Sequence, residues 1–98
     1  MKRLDEKLSD VAQRKVRNTE KLKVIAGAVE EMGELQQALM KQVRGCGDTD
    51  NDILELAHVE IMVAQLKLLY GTDKYNRVLE REIDRLNKRI EEGNNDNR

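Results

Sequence analysis

Apolar residues recur at helical spacing along almost the whole chain. Leu4, Leu8, Val11 and Ala12 stand three or four positions apart and predict a first helix from about Lys2 to Arg17. Asn18 or Thr19 can cap a second, which runs to about Arg44 and stops at the Gly45-Cys46-Gly47 loop. Asp48, Thr49, Asp50 and Asn51 offer caps for a third, ending at Tyr70-Gly71. Thr72 or Asp73 starts a fourth, which ends at Gly93, and residues 94–98 read as a disordered polar tail. With no internal repeat and no linker long enough to divide the chain, residues 1–93 form one all-α domain, a four-helix bundle.

Composition supports that reading. The chain has no Pro, Phe or Trp, and its aromatics are Tyr70 and Tyr75. Burial therefore falls to Leu, Ile, Val, Met and Ala, which helix bundles tolerate better than sheets do. Ninety-eight residues lie at the low end of what buries a sufficient core, so dimerisation is expected to complete the bundle. The longest apolar run, Val24 to Val29, is too short to span a bilayer. From Lys2 onward the N-terminus alternates charged and apolar residues, unlike a signal peptide, and Cys46 stands alone. These features predict a cytoplasmic protein without a membrane partner.

Net charge is −1, but it is unevenly spread. Residues 1–23 carry eight basic and four acidic side chains, residues 24–60 two and eight, and residues 61–98 eight and seven. The acidic centre argues against a nucleic-acid partner and suits a cation.

The acids fall in a pattern. Turning the second helix at about 100° per residue puts Ile25, Ala28, Val29, Met32, Leu35, Leu39 and Val43 on one face. Glu31 sits at its border and Glu34 further out on the same arc, beside the small residues Gly27 and Ala38, which leave room against the helix. The wheel alone does not separate Glu34 from Glu30. On the third helix, Glu60 and Lys67 form the solvated stripe, while Glu55 and His58 project among Val59, Met62, Leu66 and Leu69. A carboxylate in apolar surroundings needs a partner or gives up its charge. A metal shared with Glu31 and Glu34 would be one, and oxygen-rich ligand sets suit Mg²⁺ or Mn²⁺. An arginine from another helix would be the alternative.

These same residues carry a family resemblance. Glu30-Glu31-Met32-Gly33-Glu34, followed after twenty intervening residues by Glu55-Leu56-Ala57-His58, resembles the E-E-x-x-E … E-x-x-D signature of all-α nucleoside triphosphate pyrophosphohydrolases, the MazG-like branch in particular. The phrases AVEEMGELQQALMK and ILELAHVEIMVAQLKLLYG share the texture of small MazG-like proteins. The resemblance implies hydrolysis of a nucleoside triphosphate to monophosphate and pyrophosphate, with Mg²⁺ (or Mn²⁺) as cofactor, in a homodimer or dimer of dimers. It implies catalytic and metal-binding roles for Glu31, Glu34 and Glu55, choosing Glu34 over Glu30, and a fourth ligand position held by His58 in place of Asp. Imidazole removes one negative charge and prefers softer ions. Asp52, one turn before Glu55, could compensate. The alternative is a non-catalytic helical oligomer that keeps a degenerate metal site.

Phosphate contacts have weaker candidates. Lys41 and Arg44 follow Glu34 on the second helix. Arg77, Arg81, Arg85 and Arg89 step along the fourth, either as a basic rail toward the triphosphate or as a solvated face paired with Glu80, Glu82 and Asp84. Of these, Arg81 and Arg85 are the expected contacts. Leu79, Ile83, Leu86 and Ile90 form a short heptad seam.

Overall fold

The computed structural model describes residues 1–93, and its regular structure there is four helices with no strand: α1 (Leu4–Asn18), α2 (Lys21–Val43), α3 (Thr49–Tyr70) and α4 (Thr72–Glu91). The polar tail at 94–98 lies outside the described residues. No described helix is long and apolar enough to cross a membrane.

Local chemistry sets the boundaries. Glu6 Oε1 accepts from the Arg3 backbone N–H at 2.9 Å and so closes the start of α1. Asn18 ends α1 instead of capping α2: its side-chain amide donates to the Arg14 carbonyl at 2.7 Å, and α2 begins after Glu20 without a side-chain cap. The α2 terminus is a Schellman turn. Gly45, at φ 80°, bonds back to Gln42 O while Cys46 N–H reaches Lys41 O. Asp48 caps α3, its carboxylate accepting from the N–H groups of Asp50 and Asn51. Gly71 alone joins α3 to α4, at φ 104°, a conformation that L side chains rarely adopt.

Helix α3 is the spine, packing against α2, α1 and, more lightly, α4. On α2 the line facing α3 is Val24, Ala28, Glu31, Leu35 and Ala38, spaced 4-3-4-3. This corrects the face drawn from the wheel: Val29, Leu39 and Val43 are exposed, whereas Val24 and Ala38 are buried. Helices approach closely at Gly27, where an added Cβ would lie 3.4 Å from the Met62 methyl. The room expected beside Gly27 is thus occupied by α3 itself. Lys67 sits 4.7 Å over the Tyr75 ring and ties α3 to α4, while Lys21 lies 5.6 Å over Tyr70 and ties α2 to the end of α3.

The core is thin. Ala12, Val24, Ala28 and Ala38 are its buried apolar members, joined by Gln65, and none is large. The accessible surface is 8042 Å², against roughly 5,700 Å² for a compact monomer of this mass. The radius of gyration is 16.3 Å, where a compact domain of this length has about 13 Å.

Candidate metal centre

Glu31 enters from the α2 seam, and Glu55 and His58 from the facing turn of α3. One ligand atom from each lies within 4.8 Å of the others. His58 Nδ1 is 3.2 Å from Glu55 Oε1, within hydrogen-bond reach, and 3.4 Å from Glu31 Oε1. Glu55 is the most enclosed, its side chain 14% exposed, against 31% for Glu31 and 40% for His58. The i,i+3 spacing of Glu55 and His58 puts both side chains over one turn, which is why they converge. Antiparallel pairing of α2 and α3 supplies Glu31 from the facing helix.

Glu34 stands one turn further along α2 and is exposed. The negative charge of Glu31, then that of Glu55, raises the Glu34 pKa above the ordinary glutamate range, and the hydrogen bond to Glu55 adds to the shift. Glu34 is therefore at the edge of the cluster and outside the triad. Glu30 is exposed, as its place on the wheel suggested.

Asp52 does not join this group. Its Oδ2 accepts from Gln42 Nε2 at 2.8 Å, closing the loop end of the α2–α3 hairpin, while Oδ1 is enclosed without a hydrogen bond. Gly47 makes this contact possible, because a Cβ there would stand 2.4 Å from the Gln42 side chain. Neither the wheel nor the family motif pointed to Gln42. Its only signal was a polar residue continuing the 4-3-4-3 line beyond Ala38.

The phosphate candidates divide. Lys41 lies two turns from Glu34 along the same line of α2, and with Arg44 it borders a groove shared with Gly33, Gln36, Gln37 and Met40. Arg81 and Arg85 instead line a depression on α4 with Arg77, Glu80, Asp84 and Lys88. Arg85 Nη1 donates to Glu82 Oε1 at 2.7 Å. Their groove is built from α4 alone and does not include the carboxylates.

A divalent cation fits the donor set. Glu31 Oε1 is enclosed and makes no hydrogen bond despite the imidazole 3.4 Å away. Such an atom is costly to leave unmatched. Two carboxylates and an imidazole drawn from two rigid helices form a mixed oxygen–nitrogen set of the kind Mn²⁺ accepts and Mg²⁺ accepts less readily.

No protein-family model matches the chain, and no curated protein or solved structure matches it either.

Proposed function

We propose that Glu31, Glu55 and His58, with Glu34 at their edge, hold a divalent cation, and that the chain is a MazG-like enzyme hydrolysing a nucleoside triphosphate to monophosphate and pyrophosphate. The observation that carries this is the convergence of three ligand-type side chains around an enclosed, unbonded carboxylate oxygen. They also fall in the E-E-x-x-E and E-x-x-D phrases, in the right order and on facing helices, with His58 standing where the family has Asp. A bound Mg²⁺ or Mn²⁺ would neutralise phosphate charge and activate a water.

The chain's own residues do the rest. Glu31 and Glu55 supply negative charge from two facing helices. Glu34, whose pKa those neighbours raise, adds a carboxylate at the edge of the cluster, and a cation there would relieve the repulsion among the three acids. His58 offers Nδ1 to the same space, provided the ring is neutral. Lys41 sits beyond Glu34 on its line of α2, where it meets a phosphate that extends away from the cation. Arg81 and Arg85 reach that phosphate only from a second copy. A homodimer, or a dimer of dimers, also accounts for the apolar side chains that α2 and α3 leave exposed, among them Val29, Leu39 and Met40 of α2 and Ile53, Leu54 and Leu56 of α3. Pyrophosphate release from ribo- and deoxyribonucleoside triphosphates, with Mg²⁺ or Mn²⁺, tests the assignment.

One observation favours a second reading, a non-catalytic helical oligomer. His58 already gives Glu55 a hydrogen-bond partner within the chain, so an ion-pair role is self-contained. Pyrophosphate release separates the two, since the non-catalytic oligomer produces none whether or not it keeps a weak metal site.

A further inference from the structure

Helix α4 is the most strongly amphipathic of the four, yet it buries none of its residues. Leu79, Ile83, Leu86 and Ile90 are all between 42% and 59% exposed. α4 leaves α3 at a single glycine and packs mainly against it near the Lys67–Tyr75 contact. An apolar stripe of this regularity on a 20-residue helix, about 30 Å long, is costly to leave in water.

We propose that this stripe pairs with the same stripe of a second copy, as a short parallel two-stranded coiled coil. Three features lead there. The spacing is the heptad 4-3-4, and Asn76 continues it one step toward the N-terminus, giving the layers Asn76, Leu79, Ile83, Leu86 and Ile90. Isoleucine then falls at both apolar a positions and leucine at both d positions, the choice that favours two parallel strands, and a single a-position asparagine fixes their register by pairing with itself. The antiparallel alternative would set Asn76 opposite Gly93 of the other copy, where no side chain can satisfy it. Its one attractive charge pair, Glu82 with Arg89, would draw on groups that already have partners within the chain.

Area allows this interface in addition to one at the metal centre. The chain exposes roughly 2,300 Å² more than a compact monomer of its mass, well above the ~800 Å² that each partner gives to a standard interface. With fewer than three heptads, one α4 pair is too short to hold alone; two such pairs acting together join dimers formed through α2 and α3 into a dimer of dimers, which falls back to the dimer when the α4 pairs are lost. This inference does not rest on the metal or on hydrolysis.

Two experiments on the full chain test it, with Cys46→Ser as background because Cys46 is the chain's exposed thiol. Leu86→Cys should form an interchain disulfide with itself on mild oxidation, while Arg85→Cys, on the outer face, should not. Absence of the Leu86→Cys disulfide would overturn the pairing. Preferential cross-linking in a mixture of Ile83→Cys and Leu86→Cys proteins would overturn its direction. Separately, Ile83→Asp with Leu86→Asp should halve the mass measured by sedimentation while helix content by circular dichroism stays intact, because neither residue belongs to the folded core. An unchanged mass would refute the proposal.

Discussion

Glu55→Gln is the substitution that separates the metal from the fold. Glu55 is the most enclosed member of the cluster, with its Oε1 3.2 Å from His58 Nδ1. Glutamine keeps the size, and its carbonyl can still accept from the imidazole, so packing is retained. What is lost is the difference between a charge-assisted and a neutral hydrogen bond, about 1 kcal/mol. Relief of repulsion with Glu34 offsets part of that. The apo variant should therefore melt within roughly 4–8 °C of the parent, in either direction. The metal-linked change is larger. At a free Mn²⁺ concentration of 100 Kd, the parent gains about 2.7 kcal/mol, equivalent to roughly 10–20 °C for a domain of this size. Thermal melts of parent and variant in Mn²⁺ and in EDTA, at one fixed protein concentration, read both terms. The parent should show the full metal-dependent rise and the variant almost none of it. A variant that keeps the rise, or a parent that lacks it, would show that these side chains do not hold a cation.

Other consequences can be measured alongside. His58→Asp should restore an all-carboxylate quartet and raise Mg²⁺-supported hydrolysis several-fold, with weaker pH dependence of metal affinity on the acid side; reduced affinity and activity would make the position structural. Glu34→Gln should lose cation affinity, whereas the exposed Glu30→Gln should match the parent in isothermal titration. Because the folded-state pKa of Glu34 is raised, its contribution to apo stability is fully present below the unfolded glutamate pKa and is lost as pH rises through the folded value. Apo Glu34→Gln should then gain on the parent across that window, modestly because the site is exposed, and a constant difference with pH would contradict the coupling. Gly47→Ala should displace Gln42 from Asp52 and cost about 0.5–1.5 kcal/mol in denaturant unfolding, with no effect if the contact carries no stability. Sedimentation at micromolar concentration should show no stable monomer.

Element positions were readable because α1, α3 and α4 announce themselves through spacing, caps and glycines. Asn18 misled because its amide can serve either the end of one helix or the start of the next, and only the chain's path decides. The α2 wheel placed apolar residues on one face, but packing selected the narrower line through Val24, Ala28 and Ala38. A monomer with this little core cannot cover the rest, and a wheel drawn for one helix does not know where its neighbour lies. The cluster was more legible than the core. Glu55 and His58 stood out as polar residues on an apolar side, and their i,i+3 spacing alone brings them together. The exclusion of Glu34 from the triad was not legible, because it depends on how far α2 is rotated against α3. The separation of Arg81 and Arg85 from the carboxylates likewise depends on the exit angle of α4 at Gly71.

We propose hydrolysis of nucleoside triphosphates at the Glu31–Glu55–His58 site. Its most direct test measures monophosphate and pyrophosphate released from a panel of ribo- and deoxyribonucleoside triphosphates, by purified parent and Glu55→Gln proteins, with Mg²⁺, Mn²⁺ or EDTA. The parent should release equal amounts of the two products, more with Mn²⁺ than with Mg²⁺ and none in EDTA, and the variant should release none. Products absent under every condition, or formed equally by Glu55→Gln, would contradict it.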